Sequence, residues 1–303
     1  MNAETCPHCQ AVLQTKMDEC PYCGIILAKY RPRTTPRPAE QSLRFQAESD
    51  GPEPISRSLW IQLGIGTGLG LLFTQSAMLS FILQYLFILV HEIGHALTAW
   101  ALAIPAVPAF DFSFGGGATL TFDKNWSLRF LIYLLGFGTA GWAFSKGGKP
   151  IGLLVLIGLY ALVDFTSLSS VMVTTMGHGF EWIIMILFVY RGLSGRSVIH
   201  QVERPLYVLL ATWGAVNRCS MGWGLWSSAY LRETYSAAKG GHMEMDLDIL
   251  AQVIGTSTQS LGLLFALISL ATLPIGYLCY RYEPQVQRGL QTVMAHMLRI
   301  PVR

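Results

Sequence analysis

A chain of 303 residues that is 52% hydrophobic and only 13% charged carries about half the charge of an ordinary soluble domain. With a mean hydropathy of +0.42, this composition argues against a soluble globular protein and for a membrane protein in contact with the lipid bilayer. The net charge of +3 is too small to imply a nucleic-acid partner.

The first residues, Met1 to Cys6, are polar and contain no apolar core. They predict no cleavable signal peptide and an amino terminus that stays in the cytosol. Four of the six cysteines follow at once: Cys6 and Cys9, then Cys20 and Cys23 after ten intervening residues. Two C-x-x-C knuckles at this spacing close tetrahedrally on one Zn²⁺, and a reducing compartment disfavours the rival disulfide reading. Residues 1–30 are therefore expected to form a small four-cysteine zinc ribbon with a structural Zn²⁺. So short a module cannot build a core without its metal. It could recruit a protein partner. Cys219 and Cys279 stand apart in apolar surroundings and read as buried thiols.

Residues 31–57 read as a linker, broken by Pro32, Pro36, Pro38, Pro52 and Pro54 and kept solvated by five arginines. Arg57, just ahead of the first apolar run, supports a cytosolic start. A membrane domain is expected over 58–282 and a basic tail over 283–303. Its first span covers 59–75, where Gly64, Gly66 and Gly68 are small residues for close helix packing rather than a nucleotide loop, since no strand precedes them. The second covers 78–103 and ends at Pro105 and Pro108.

Residues 109–122 change period, with Phe110, Phe112 and Phe114 alternating with Asp111 and Ser113 before Gly115, Gly116 and Gly117. That pattern predicts a short strand or hairpin. Further spans are expected at 128–145, 150–165, 168–190 and 259–280. The run 205–226 is interrupted by Asn217 and Arg218, and 229–250 is polar. The fold class is thus an all-α multi-pass membrane protein of about six to seven transmembrane helices.

Between Arg57 and Asp111 the only Asp, Glu, Lys or Arg is Glu92, and it sits in His91-Glu92-Ile93-Gly94-His95. A carboxylate between two imidazoles in so apolar a segment is costly unless something compensates it, and a divalent metal would. Residues four apart share a helix face, so His91 and His95 can grip one ion. This is the H-E-x-x-H pattern of zinc hydrolases, in which Glu92 is the catalytic carboxylate that takes a proton from zinc-activated water. A catalytic site needs a third protein ligand. His178 and Glu181, three apart on one face of the fifth span, rank first and second, and Asp164 third. His242 and Asp246, in the polar segment, complete the five candidates, with a solvated-loop reading favoured for both.

With these residues in view, the stretch His91-Glu-Ile-Gly-His-Ala-Leu-Thr-Ala-Trp100, within a span and followed by a Pro-containing extended segment, resembles the site-2 protease family of intramembrane zinc proteases. The resemblance covers about residues 78–120. It implies a zinc metalloendopeptidase that cleaves membrane-protein or peptide substrates in or near the bilayer, with His91 and His95 as ligands. Family members take a third ligand from a later Asp-Gly motif. The only Asp-Gly in this chain is Asp50-Gly51 in the linker, so a divergent branch using Met176-Gly-His178-Gly-Phe-Glu181 is expected. The ribbon resembles those that head many bacterial proteins, and a bacterial inner (cell) membrane is the expected location.

The Phe110–Gly117 stretch could pair with an unwound substrate segment as an edge strand. Two other readings compete. Membrane di-iron desaturases need more histidine boxes, including H-x-x-H-H, than the seven histidines here provide. A non-catalytic zinc-binding or scaffold protein would have no use for Glu92.

Overall fold

Backbone in hydrocarbon has no water to bond and must satisfy its own amides, so apolar runs of this length fold as helices. A computed structural model describes residues 4–6, 12–13, 20–23, 56–111, 116–196, 198–238 and 244–289. The chain divides into two units, Met1–Asp50 and Gly51–Arg303.

The amino-terminal unit pairs β1 (Glu4–Thr5) with β2 (Val12–Leu13) antiparallel, Glu4 opposite Leu13 and Thr5 opposite Val12. Cys6 and Cys20 are buried, and the sulfur of Cys6 lies 3.8 Å from that of Cys23. Cys9 falls outside the described residues, as do most of the linker and the end of the basic tail.

The second unit runs α1 (Arg57–Gln75), α2 (Ala77–Ala101), β3 (Ala106–Asp111), β4 (Gly116–Thr121), α3 (Trp126–Ser145), α4 (Ile151–Phe165), α5 (Leu168–Ser194), α6 (Glu203–Ser227), α7 (Ala229–Ala237), α8 (Asp246–Ile254) and α9 (Thr258–Arg281). Among the described residues, α2, α3, α5 and α9 are long and apolar enough to cross a membrane, and they mark the chain as a membrane protein. The expected spans at 59–75 and 150–165 and the interrupted run 205–226 are helical as well. However, α4 has only 15 residues, and α6 carries Glu203, Arg204 and Arg218.

Despite those charges, α6 is the central helix, with α1, α5 and α9 packed on it. Phe87 of α2, Met185 of α5 and Trp213 of α6 are fully buried together in the largest core cluster. A second cluster joins Leu225, Leu247, Leu250 and Phe265, tying α8 to α6 and α9. The glycines of α1 divide by face. A Cβ at Gly66 or Gly70 would collide with Val208 or Thr212 of α6, whereas Gly64 and Gly68 face open space. Close packing thus explains one glycine of the expected set, Gly66, and adds Gly70.

The helix α2 ends earlier than expected because Ala103 adopts the left-handed region at φ 58 and turns the chain. The hairpin then begins at Ala106, with β3 and β4 antiparallel in the register Ala106 opposite Thr121 through Asp111 opposite Gly116. Pro108 is accommodated because a two-stranded sheet leaves every strand an edge. Phe112 and Phe114 lie outside the described residues. This hairpin packs on α2 and brings β4 over the H-E-x-x-H turn.

Candidate metal centre

His91 and His95 occupy one face of α2, as their spacing requires. Their Nε2 atoms lie 2.9 Å apart. Oδ2 of Asp246, the first residue of α8, lies 2.8 Å from Nε2 of His91 and 3.1 Å from Nε2 of His95. Three potential ligand atoms therefore converge on one point. Asp246 reaches it because α8 docks as an amphipathic helix, burying Leu247, Leu250 and Ala251.

Each imidazole is turned by a group on α5. Nδ1 of His95 donates to the carbonyl of Val173 at 2.6 Å, which leaves Nε2 as a lone pair toward the convergence point. Nδ1 of His91 faces Oε1 of Glu181 at 3.7 Å. Burial alone would push the Asp246 carboxyl up. The imidazoles of His91 and His95 beside it outweigh burial and hold the group well below the ordinary carboxylate range. Asp246 is thus an anion, the form in which a carboxylate binds metal.

The helices approach closely here because both carry glycine. A Cβ at Gly94 would collide with the carbonyl of Met176, and one at Gly177 would collide with Nε2 of His95 and Cε1 of both rings. Any side chain at 177 would fill the space between the imidazoles. Two imidazole nitrogens and a carboxylate oxygen about 3 Å from one another are a donor set suited to a divalent ion such as Zn²⁺.

Glu92 is buried under the hairpin. Its Oε2 accepts a hydrogen bond from the Thr119 hydroxyl at 2.6 Å. A Cβ on Gly117 would lie 2.6 Å from its Oε1, so glycine at that position lets β4 rest on the carboxylate without displacing it. A cavity of about 600 Å³ opens beside these groups, lined by His91, Glu92, Gly117, Arg218, Tyr235 and Asp246 among others.

His178 and Glu181 also line the cavity, and with His91 they form a second group of atoms close enough to share an ion. Glu181 is already engaged. Arg218 grips it with Nη2 on Oε1 at 2.6 Å and Nε on Oε2 at 3.0 Å, and Nδ1 of His178 donates to Oε2 at 2.9 Å. Nε2 of His178 is buried and has no hydrogen-bond partner among the described residues.

Asp164 is elsewhere. It accepts from Nε of Arg129 at 2.7 Å, Nζ of Lys124 at 3.2 Å and the Tyr133 hydroxyl at 3.1 Å, joining α3 to α4. Both cations compensate its charge, and it does not line the cavity. His242 lies outside the described residues.

Two participants stand out less in the sequence than in the structure. Asp246 is a candidate there, ranked below His178, Glu181 and Asp164 because its segment is polar, although Leu247, Leu250 and Ala251 behind it are spaced as a docking face. Arg218 was read only as an interruption, although a lone cation in an apolar run calls for a buried carboxylate partner. In the amino-terminal unit, Cys6, Cys20 and Cys23 bring their sulfurs within 4.8 Å of one another and could hold a metal ion. No protein-family model, curated protein or solved structure matches the chain.

Proposed function

We propose that the chain is a membrane-embedded zinc metallopeptidase that hydrolyses peptide bonds in or near the bilayer. His91, His95 and Asp246 would hold the catalytic ion, and Glu92 is the general base. The observation that carries this reading is the convergence of three metal-ligand atoms beside a cavity that also contains a buried, oriented carboxylate.

Zinc in this nest would supply Lewis acidity, making water a competent nucleophile near neutral pH and polarising a peptide carbonyl. The chain's own residues do the rest. Thr119 fixes the Glu92 carboxylate, which takes a proton from water and returns it to the departing nitrogen. The hairpin above Glu92 offers an edge for an extended peptide. Engagement of Glu181 by Arg218 favours a supporting role for it, and the Arg129 and Lys124 pairing favours a structural one for Asp164.

A second, structural zinc belongs to the ribbon through Cys6, Cys9, Cys20 and Cys23. The positive-inside rule puts that unit on the cytoplasmic side of a bacterial cell membrane.

The test is cleavage of dye-labelled single-span peptides in proteoliposomes. Wild-type protein is expected to cleave them, to stop after chelation and to recover with zinc. Glu92→Gln is expected to retain the metal of wild type without cleaving. Zinc loss in that variant would favour a non-catalytic metal centre, and undiminished cleavage by it would remove Glu92 as the general base.

A further inference from the structure

We infer that Arg218 is a positioning residue of this centre: it holds Glu181 so that one carboxylate backs the Nδ1 side of both His91 and His178. The inference rests on the metal reading of the site and adds to it an element on a different helix. Arg218 is buried in α6, and its guanidinium is latched from two sides. Two of its nitrogens hold both oxygens of Glu181, and Nη1 donates to Oε1 of Gln84 and Oδ1 of Asn217, each at 3.1 Å. A planar fork bound at both ends cannot rotate, so the carboxylate it grips has one orientation.

That orientation places Oε2 at 2.9 Å from Nδ1 of His178 and Oε1 at 3.7 Å from Nδ1 of His91. A carboxylate facing the outer nitrogen, hydrogen-bonded in His178 and at ion-pair distance in His91, favours a proton there and leaves Nε2 as the lone pair. In His91 that atom is the one beside His95 and Asp246. In His178 it is the buried nitrogen without a partner among the described residues, in the cavity wall. Metal-binding histidines backed in this way keep their ring orientation, and loss of the backing group typically costs 10–100-fold in metal affinity. Lysine would keep the charge and lose the fork.

The experiment is chelator competition for zinc on the full chain in detergent, resolving the membrane site from the ribbon by stoichiometry. The paired variant Glu181→Gln with Arg218→Gln removes both charges together, which a buried pair tolerates better than loss of one partner. It is expected to fold and to bind zinc at the membrane site about 10–100-fold more weakly. Arg218→Lys should fall between this variant and wild type. Wild-type affinity in the folded double variant, with only the melting temperature lowered, would show a purely structural ion pair and overturn the inference. If the wild-type chain holds zinc only in its ribbon, the proposed function falls first and the inference with it.

Discussion

Nε2 of His91 and Oδ2 of Asp246 lie 2.8 Å apart although 155 residues separate them in the chain. The distance is set by α2 and α8 docking on the same helix, α5, with α8 packed also against α6 and α9. If the pair holds an ion, Asp246→Ala loses the membrane-site metal while the ribbon keeps its own. Metal content per chain, measured on purified protein, should fall by one equivalent. An unchanged content would transfer the third position to His178 or Glu181.

Gly177→Ala should have the same outcome by a different cause. The added methyl occupies the space between the two imidazoles, so the ion is displaced although every donor remains. Zinc analysis beside a thermal melt separates this local exclusion from misfolding.

The contact of β4 with Glu92 predicts the opposite pattern. Gly117→Ala and Thr119→Val should lower turnover with zinc content unchanged, because one pushes on the carboxylate and the other removes the hydroxyl that orients it. Proton-transfer groups contribute roughly 10²–10⁴-fold, which bounds the loss. Full turnover in both variants would remove Glu92 from the chemistry.

Asp164→Asn is expected to leave metal binding intact and to destabilise the fold. Arg129 and Lys124 would lose their shared anion, and breaking a buried pair costs about 3–5 kcal/mol. A denaturation midpoint that does not move would mean that the α3–α4 join is held by other contacts.

Metal release should be acid-driven. Protons compete with the ion for each imidazole nitrogen as the pH falls, and a protonated nitrogen cannot bind. Affinity should therefore decline by about tenfold per pH unit for each histidine that must lose a proton to bind. Zinc titrations between neutral and mildly acidic pH give the slope, and a flat profile would argue against imidazole ligands.

Removing the ion should also loosen the segment that carries Asp246. The helix α8 is held by Leu247 and Leu250 and by Asp248, which accepts from Ser236 at 2.8 Å and from Thr258 at 2.6 Å. Amide exchange in α7 and α8 is expected to accelerate after chelation, while the buried α5–α6 contact stays protected.

The His91 and His95 pair was legible because helical spacing alone puts residues four apart on one face. The hairpin was legible from alternation, although its start was not. The turn at Ala103 depends on a backbone torsion that no side-chain pattern announces. Asp246 was obscured because its neighbours are polar, and polarity signals exposure until a docking surface is known. Arg218 was visible as an anomaly but not as a partner, since only the packing of α5 on α6 shows that Glu181 answers it. The roles of Gly117 and Thr119 depend on the β3–β4 register over α2, which is a tertiary fact.

The dependence of α8 on Phe265 and Thr258 has a bearing on biosynthesis. A ribosome must pass α9 before the last donor can be held in place, and until then Glu92 stands beside two imidazoles alone. Under the proposed chemistry, translation itself delays activation until α9 is inserted.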